Sequence, residues 1–223
     1  GNGNFTLPLA SRAREVLAAL AALLLYLPSL GHGFVRDDVP LIVENALMRS
    51  PGGLWRLLSG DFLASTGFTS GLWRPLPLLS FWIEGRLGGW EPGLFHGTSV
   101  LLHAGSALLV GLLLAQAGIP RAPATLAALW FAAMPAHVEP AAWISGRTDL
   151  LCGFFALLCL CLDRRARQAG RAWPGWTAPA AFAAALLSKE SAAGWAGVIL
   201  LAEWVRSRTT STGGSVGWRP SWR

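Results

Sequence analysis

Hydrophobic runs alternate with short polar stretches along this chain of 223 residues. A bilayer crossing needs about 20 mostly apolar residues in a helix. The stretch from Glu91 to Arg121 has no formal charge between its ends, so a helix from about Phe95 to Ala117 spans easily. The pattern predicts an all-α membrane protein with about five to six transmembrane helices. The predicted spans are 16–30, about 95–117, 121–137, 150–162 and one or two passages within 172–202.

The residues between the first two spans, about 31–94, form a long outer loop of mixed composition. Gly52 to Leu63 has apolar residues at helical spacing, which predicts a helix lying flat on the membrane surface with Trp55 at the interface. Leu72 to Leu87 is interpreted as a further interfacial helix, with prolines breaking its start.

Composition supports an integral membrane protein, since 53% of the residues are hydrophobic and only 13% are charged. The net charge of +6 comes almost entirely from arginine. In a membrane chain such a balance reflects cytoplasmic loops, and no nucleic-acid partner is predicted. Cys152, Cys159 and Cys161 share one apolar run without metal or disulfide spacing and are interpreted as packing residues.

The arginines set the orientation. The segments predicted to be inside hold Arg12, Arg14, Arg121, Arg164, Arg165, Arg167, Arg171, Arg206, Arg208, Arg219 and Arg223. The short outer segments hold only Arg147 and Lys189, so the positive-inside rule places the N-terminus in the cytoplasm. Residues 1–15 are then a cytoplasmic segment, 16–206 a transmembrane domain, and 207–223 a polar tail at a candidate truncation point.

This topology brings charges from five stretches to the outer ends of the helices. They are Asp37, Asp38, Arg74, His96, His137, Glu139, Arg147, Asp149, Lys189 and Glu190. One interpretation is a site, because ionisable residues near a bilayer are functional candidates. The alternative is that each is an interface anchor, and that Asp37 and Asp38 lie in a solvated loop. Anchors do not explain Lys189 and Glu190, which interrupt an apolar run at ~2.5–3.5 kcal/mol per charge.

Five words of sequence resemble a known family. They are GFVRDDVPLIVEN at 33–45, WRPLPLLSF at 73–81, FHGTSVLLHA at 95–104, PAHVEPAAWISGRTDLL at 135–151 and LLSKES at 186–191. Together they resemble the N-terminal membrane part of the GT-C class of glycosyltransferases, specifically the transmembrane-and-tetratricopeptide-repeat O-mannosyltransferase family and its bacterial relatives. The chain departs from the family in lacking an Asn near Thr98 or Ser99 and in lacking the repeat domain that normally follows.

The resemblance implies a GT-C-like bundle that transfers a mannose-like sugar from a polyprenyl-phosphate donor to an acceptor hydroxyl, with inversion. The acceptor needs a positioned base, which by the match is Asp37, with Asp38 orienting the acceptor or substituting for it. If the pair holds a metal, its oxygens suit Mg²⁺ or Mn²⁺; no other cofactor is expected.

Cations are expected to stabilise the leaving phosphate. The candidates are Arg147, whose fork suits bidentate binding, together with Lys189, Arg74 and His137. Glu139, Asp149, Glu190 and His96 are expected to support them. His103 lies about two turns into its span, which favours a packing role.

The expected partners are the lipid-linked donor, a protein acceptor and membrane lipids. The expected location is the bacterial inner membrane, or the endoplasmic reticulum in a eukaryote, with the active face periplasmic or lumenal. Three alternatives stay open: a sugar transferase acting on a glycolipid, a transporter, and a non-catalytic assembly subunit. A transporter is expected to line a path through the membrane with charge, whereas the inner halves of these helices carry almost none.

Overall fold

The computed structural model describes residues 9–169 and 174–211, and in these residues the regular secondary structure is helical, with no strand. The expected all-α class is confirmed. The α-helices are α1 (Leu9–Tyr26), α2 (Ala46–Arg49), α3 (Leu54–Ser59), α4 (Pro75–Gly88), α5 (Pro92–Gln116), α6 (Arg121–Ala133), α7 (Val138–Ala142), α8 (Arg147–Ala169), α9 (Thr177–Leu186) and α10 (Ala193–Ser211).

Helix α5 is central and packs against α1, α6 and α8. The contact among α1, α5 and α6 is built from alanines, which are Ala18, Ala22, Ala104, Ala107, Ala128 and Ala132. Such small side chains let helices approach closely where lipid offers no hydrophobic driving force. The three cysteines are buried in α8 and form no disulfide, as their interpretation as packing residues predicts.

Two helical stretches in the described residues are long and apolar enough to cross a membrane, Pro92–Gln116 and Ile144–Gln168. The first coincides with the predicted span at 95–117. Shorter apolar stretches at Val16–Gly31, Thr177–Leu186 and Glu190–Leu201 fall where other passages are predicted. The total of five to six crossings stays a prediction.

The segment predicted as an outer loop, 31–94, is a packed layer rather than an open loop. The segment follows α1 and precedes α5. Its two ends lie close together, because a Cβ added to Gly93 would lie 3.2 Å from the carbonyl oxygen of Leu30. Nine buried residues form its core, which are Leu41, Ile42, Met48, Leu57, Phe62, Leu78, Phe81, Phe95 and Ile144.

The two helices predicted in this segment differ in burial. Helix α3 carries Trp55 at its surface with 77% of the residue exposed, as expected for an interfacial helix. Helix α4 corrects the expectation of a second surface helix, because Leu78, Phe81 and Glu84 are buried in it. Its prolines fall in the first helical turn, where a missing N–H costs nothing, so they start the helix instead of breaking it.

The polar stretch 137–149 folds as short turns that lead into α8. That helix begins at Arg147 rather than near Leu150 and continues to Ala169, so the charges from Asp163 to Arg167 extend the helix instead of following it. The expected division of 172–202 at Lys189 is confirmed, because α9 ends at Leu186. Helix α10, Ala193–Ser211, belongs to a separate compact unit.

Some expectations fall outside the described residues. These are the structure of 1–8, the position of Arg171 and the tail at 212–223, including Arg219 and Arg223. The division into 1–15, 16–206 and 207–223 stays a prediction.

Candidate functional site at the outer helix ends

Asp37 and Asp38 are adjacent in sequence but lie in opposite environments. Arg36 adopts a left-handed backbone conformation with φ of 50°, which turns the chain back so that the Val35 amide donates to Asp38 Oδ2 at 3.0 Å. Asp38 Oδ1 accepts from the Ser145 amide at 2.8 Å and from the Ser145 hydroxyl. Asp38 is fully buried, whereas Asp37 is exposed. The buried carboxylate therefore anchors a turn that leaves its neighbour open to solvent.

Arg147 is fully enclosed by protein, with 0% of the residue exposed. Its Nη1 donates to Glu84 Oε1 at 2.6 Å and to Ser80 Oγ at 3.0 Å. Its Nη2 donates to the carbonyl oxygen of Phe95, and its Nε to Ser99 Oγ at 3.3 Å. Its guanidinium carbon lies 4.7 Å from the ring centre of Phe81.

This geometry corrects the expectation that Arg147 offers an open fork to phosphate. Each of its nitrogens already donates to protein, and a phosphate would have to displace Glu84 or the Phe95 carbonyl. Burial raises the pKa of the Glu84 carboxyl, while the charge of Arg147 opposes that rise. The pair is an internal tie among α4, α5 and α8.

The break between α9 and α10 carries two ion pairs at the surface. Arg74 donates from Nε and Nη2 to the two carboxylate oxygens of Glu190, at 2.9 and 2.6 Å. Lys189 Nζ lies 2.7 and 2.8 Å from the two oxygens of Asp149. The hydrogen bonds from Arg74 lower the pKa of Glu190. Asp149 and Glu190 thus pair with Lys189 and Arg74, and their supporting role in a site stays a prediction.

The same break is tied to α4 through the backbone. The Leu76 amide donates to the carbonyl oxygen of Leu187 at 3.1 Å. Arg74, at the N-cap position of α4, therefore faces Glu190 across a connection that both backbone and side chains maintain.

The histidines and Glu139 have other surroundings. His96 is 1% exposed, and its ring meets that of His32 edge-on at 5.9 Å between centres. His137 packs on Phe131 and His103 with ring centres 4.4 and 5.0 Å away, in an aromatic cluster rather than in one of the ion pairs.

Burial of His103 agrees with its predicted packing role, and its Nε2 meets the carbonyl oxygen of Ala132 at 3.1 Å. The Glu139 side chain is exposed, and its backbone supports the turn instead, because its carbonyl accepts from the Trp143 amide at 3.0 Å.

The residues do not fit a metal held by Asp37 and Asp38. Both oxygens of Asp38 already accept hydrogen bonds inside the protein, and Asp37 lies outside that enclosure. Among the residues that the structure describes, no three His, Cys, Asp or Glu side chains are grouped as metal ligands.

Sequence reasoning missed the residues that position the site, which are Ser80, Glu84, Ser99 and Ser145. One signal was available for Glu84. It is the only carboxylate between Asp61 and Glu91, it lies within an apolar segment, and it follows Ser80 at the spacing of one helical face. The partner of Asp38 was not available, because it lies 107 residues away.

The chain is similar to several curated protein sequences. Neither a protein-family model nor a solved structure matches the chain. The chain is 37% identical over 194 residues to the protein O-mannosyl-transferase Tmtc1 of Drosophila melanogaster, covering 82% of this chain and 22% of that protein. It is 40% identical over 191 residues to Tmtc2 of the same organism, covering 77% and 19%. It is 35% identical over 162 residues to human TMTC4, covering 65% and 22%.

The chain thus spans about a fifth of the length of the curated relatives it matches. The aligned share of this chain is large enough to include most of the five words, and the identity is well above that of unrelated sequences. The resemblance that these words indicate is therefore confirmed, and the chain belongs to a TMTC-like family of protein O-mannosyl-transferases.

Proposed function

We propose that the protein transfers a mannose-like sugar from a polyprenyl-phosphate donor to a hydroxyl group of a protein acceptor at the periplasmic or lumenal membrane face. The observation that carries the proposal is that Ser145, which binds Asp38 beside the exposed Asp37, lies four residues before Asp149, which binds the partly exposed Lys189. Glu190, the residue after Lys189, pairs with Arg74. Similarity to protein O-mannosyl-transferases supports mannose as the sugar and protein as the acceptor.

Asp37 is the proposed general base. An acceptor hydroxyl is a poor nucleophile, so its oxygen attacks the anomeric carbon as the proton passes to the carboxylate. The bond between that carbon and the phosphate oxygen breaks with its electrons leaving on the phosphate, which inverts the anomeric centre. The exposure of Asp37 supports this role, and the anchoring of Asp38 keeps the turn fixed while Asp37 stays accessible.

Lys189 and Arg74 are the proposed partners of the donor phosphate. Negative charge grows on the leaving phosphate, and fixed cations stabilise it without reorganisation. Both side chains are partly exposed, at 25% for Lys189 and 12% for Arg74, whereas Arg147 is enclosed. Their carboxylate partners, Asp149 and Glu190, hold them in place and moderate their charge.

The proposed setting is a GT-C-like bundle of five to six passages in the endoplasmic reticulum or the bacterial inner membrane. Its outer segment, 31–94, covers the active face. The N-terminus and the charges near Arg165 lie in the cytoplasm.

The test is the substitution Asp37→Asn in the intact membrane-embedded protein, assayed with polyprenyl-phosphate mannose and an acceptor polypeptide. Donor binding should survive, while transfer should fall by ~10²–10⁴-fold, the usual contribution of a positioned base. Glu44→Gln is the matched control, because Glu44 is another exposed carboxylate of the same stretch and has no proposed role. Transfer by Asp37→Asn at the unsubstituted rate would remove Asp37 from the mechanism.

A further inference from the structure

Arg147 lies between two residues that bind members of the candidate site. Two residues before it, Ser145 binds Asp38. Two residues after it, Asp149 binds Lys189. The turn 145–149 therefore fixes the anchor of the base and the partner of one cation within five residues.

The second cation, Arg74, is joined to this turn through α4, in addition to its pairing with Glu190 next to Lys189. Ser80, Phe81 and Glu84 of that helix all contact the Arg147 guanidinium. Ser80 and Glu84 are four residues apart and so share one face of the helix. On its other side Arg147 is held by α5, through Phe95 and Ser99.

Helix α4 has Arg74 at its N-cap position, about two turns from Ser80. A rigid helix transmits a displacement at Glu84 to its first turn, and thus to the position of Arg74 against Glu190. The pair of Glu84 and Arg147 is a costly way to provide packing alone, since buried ion pairs are often no more stable than apolar replacements. It does fix one geometry, because the carboxylate, a hydroxyl and a ring all meet the same guanidinium.

We propose that Glu84 is a positioning residue for donor binding, which acts through Arg147 to hold α4 so that Arg74 faces the donor phosphate beside Lys189. This rests on the proposed function only for the identity of the ligand. The mechanical link from Glu84 to the break at 187–190 is a property of the chain itself.

The first experiment is a double-mutant cycle on donor KM in the intact membrane protein. Glu84→Gln should raise donor KM by about 10-fold with kcat changed much less, an effect within the usual range for coupled neighbours. In an Arg74→Gln background the same substitution should change donor KM by no more than about twofold, because the residue that it positions is already absent. Equal rises in both backgrounds would mean a general structural loss and would overturn the proposal.

Two further variants serve as controls for this cycle. Ser80→Ala removes one hydrogen bond to the same nitrogen and should give the same pattern more weakly if Glu84→Gln folds poorly. Arg86→Gln alters an exposed charge on the same helix, outside the Arg147 contact, and should leave donor KM unchanged.

The second experiment does not depend on transfer activity. Cysteines replacing Leu76 and Leu187, in a background lacking the three native cysteines, should form a disulfide readily because their backbones are hydrogen-bonded. Glu84→Gln should slow that cross-link by about an order of magnitude. An unchanged rate would overturn the mechanical link. If the protein transfers no sugar but the cross-link slows, the proposed function fails while the link stands.

Discussion

Asp37 and Asp38 should separate stability from activity when each is replaced by asparagine. Asp38 is fully buried, and its two oxygens accept from three donors, which are the Val35 amide, the Ser145 amide and the Ser145 hydroxyl. Asparagine has one acceptor oxygen and one NH₂ group. One orientation sets a donor against the buried Ser145 N–H, and the other sets it against the partly buried Val35 N–H; each of these had a carboxylate partner.

The magnitude follows from that mismatch. A hydrogen bond to a charged group contributes about 1.5–3 kcal/mol, and an unsatisfied buried donor costs about 1–3 kcal/mol. Asp38→Asn should therefore destabilise the protein by about 2–5 kcal/mol, since at least one such bond is lost and one N–H is orphaned. For a chain of this size that is a fall in Tm of about 4–20 °C.

Asp37→Asn is the matched control, because it makes the same chemical change one residue earlier on an exposed side chain. Its effect on stability should stay within about 0.5 kcal/mol. The assay is thermal unfolding in one detergent, followed by intrinsic tryptophan fluorescence, with transfer measured on the same preparations. Equal losses of Tm in both variants would refute the assignment of Asp38 as the anchor and Asp37 as the open carboxylate.

The remaining predictions concern topology, pH and the turn before α8. A single cysteine at 37, in a background without native cysteines, should react with an impermeant thiol reagent in intact bacterial cells if its face is periplasmic. If its face is lumenal, it should react only after the organelles are lysed. A single cysteine at 165 should show the opposite accessibility in each case. The lowered pKa of Glu190 means that its pairing with Arg74 stabilises the fold above its ordinary pKa of about 4.3 and loses that contribution as pH falls through the lower folded value. Thermal unfolding at pH 3 and 6 should thus show a smaller pH effect in Glu190→Gln. Gly146→Ala would place a Cβ 2.9 Å from the Cα of Pro140 and should cost about 1–3 kcal/mol, seen as a lowered Tm.

The sequence was informative where chemistry and local pattern coincide. The uncharged stretch between Glu91 and Arg121 predicts α5 to within a few residues, because an apolar run of this length is typical of a helix and too long for a strand. The charges at Lys189 and Glu190 predict a break, because charged side chains within an apolar membrane helix are costly. Their ion-pair partners lie 40 and 116 residues away, and only the predicted grouping of charges at one set of helix ends indicated them.

Two other features of α4 were not predicted, one through its local helix-start chemistry and one because it depends on tertiary contacts. Prolines at 75 and 77 suggested a broken start, but both fall in the first turn, where proline is tolerated. The lone carboxylate of Glu84 in an apolar segment was a signal, but it did not settle burial, because α4 also carries Arg86 at its surface. Whether a carboxylate lies at the interface or in the core depends on its partner, and that partner is in α8.

Arg147 and Lys189 lie in opposite environments, which the sequence alone does not reveal and which suit the two cations to different roles. A guanidinium offers a rigid planar fork, which suits a fixed set of acceptors, and here it meets a carboxylate, two hydroxyls and a carbonyl at once. An ammonium is a compact charge on a flexible stem, and Lys189 keeps part of its surface open beside Asp149. The residue best shaped for phosphate is thus occupied in holding three helices together, and the more adaptable cation is left facing the surface. Lys189→Arg would introduce a guanidinium fork without a matching set of acceptors, and it should therefore impair donor binding. Arg147→Lys could not reach all four of the present acceptors, and it should therefore impair folding.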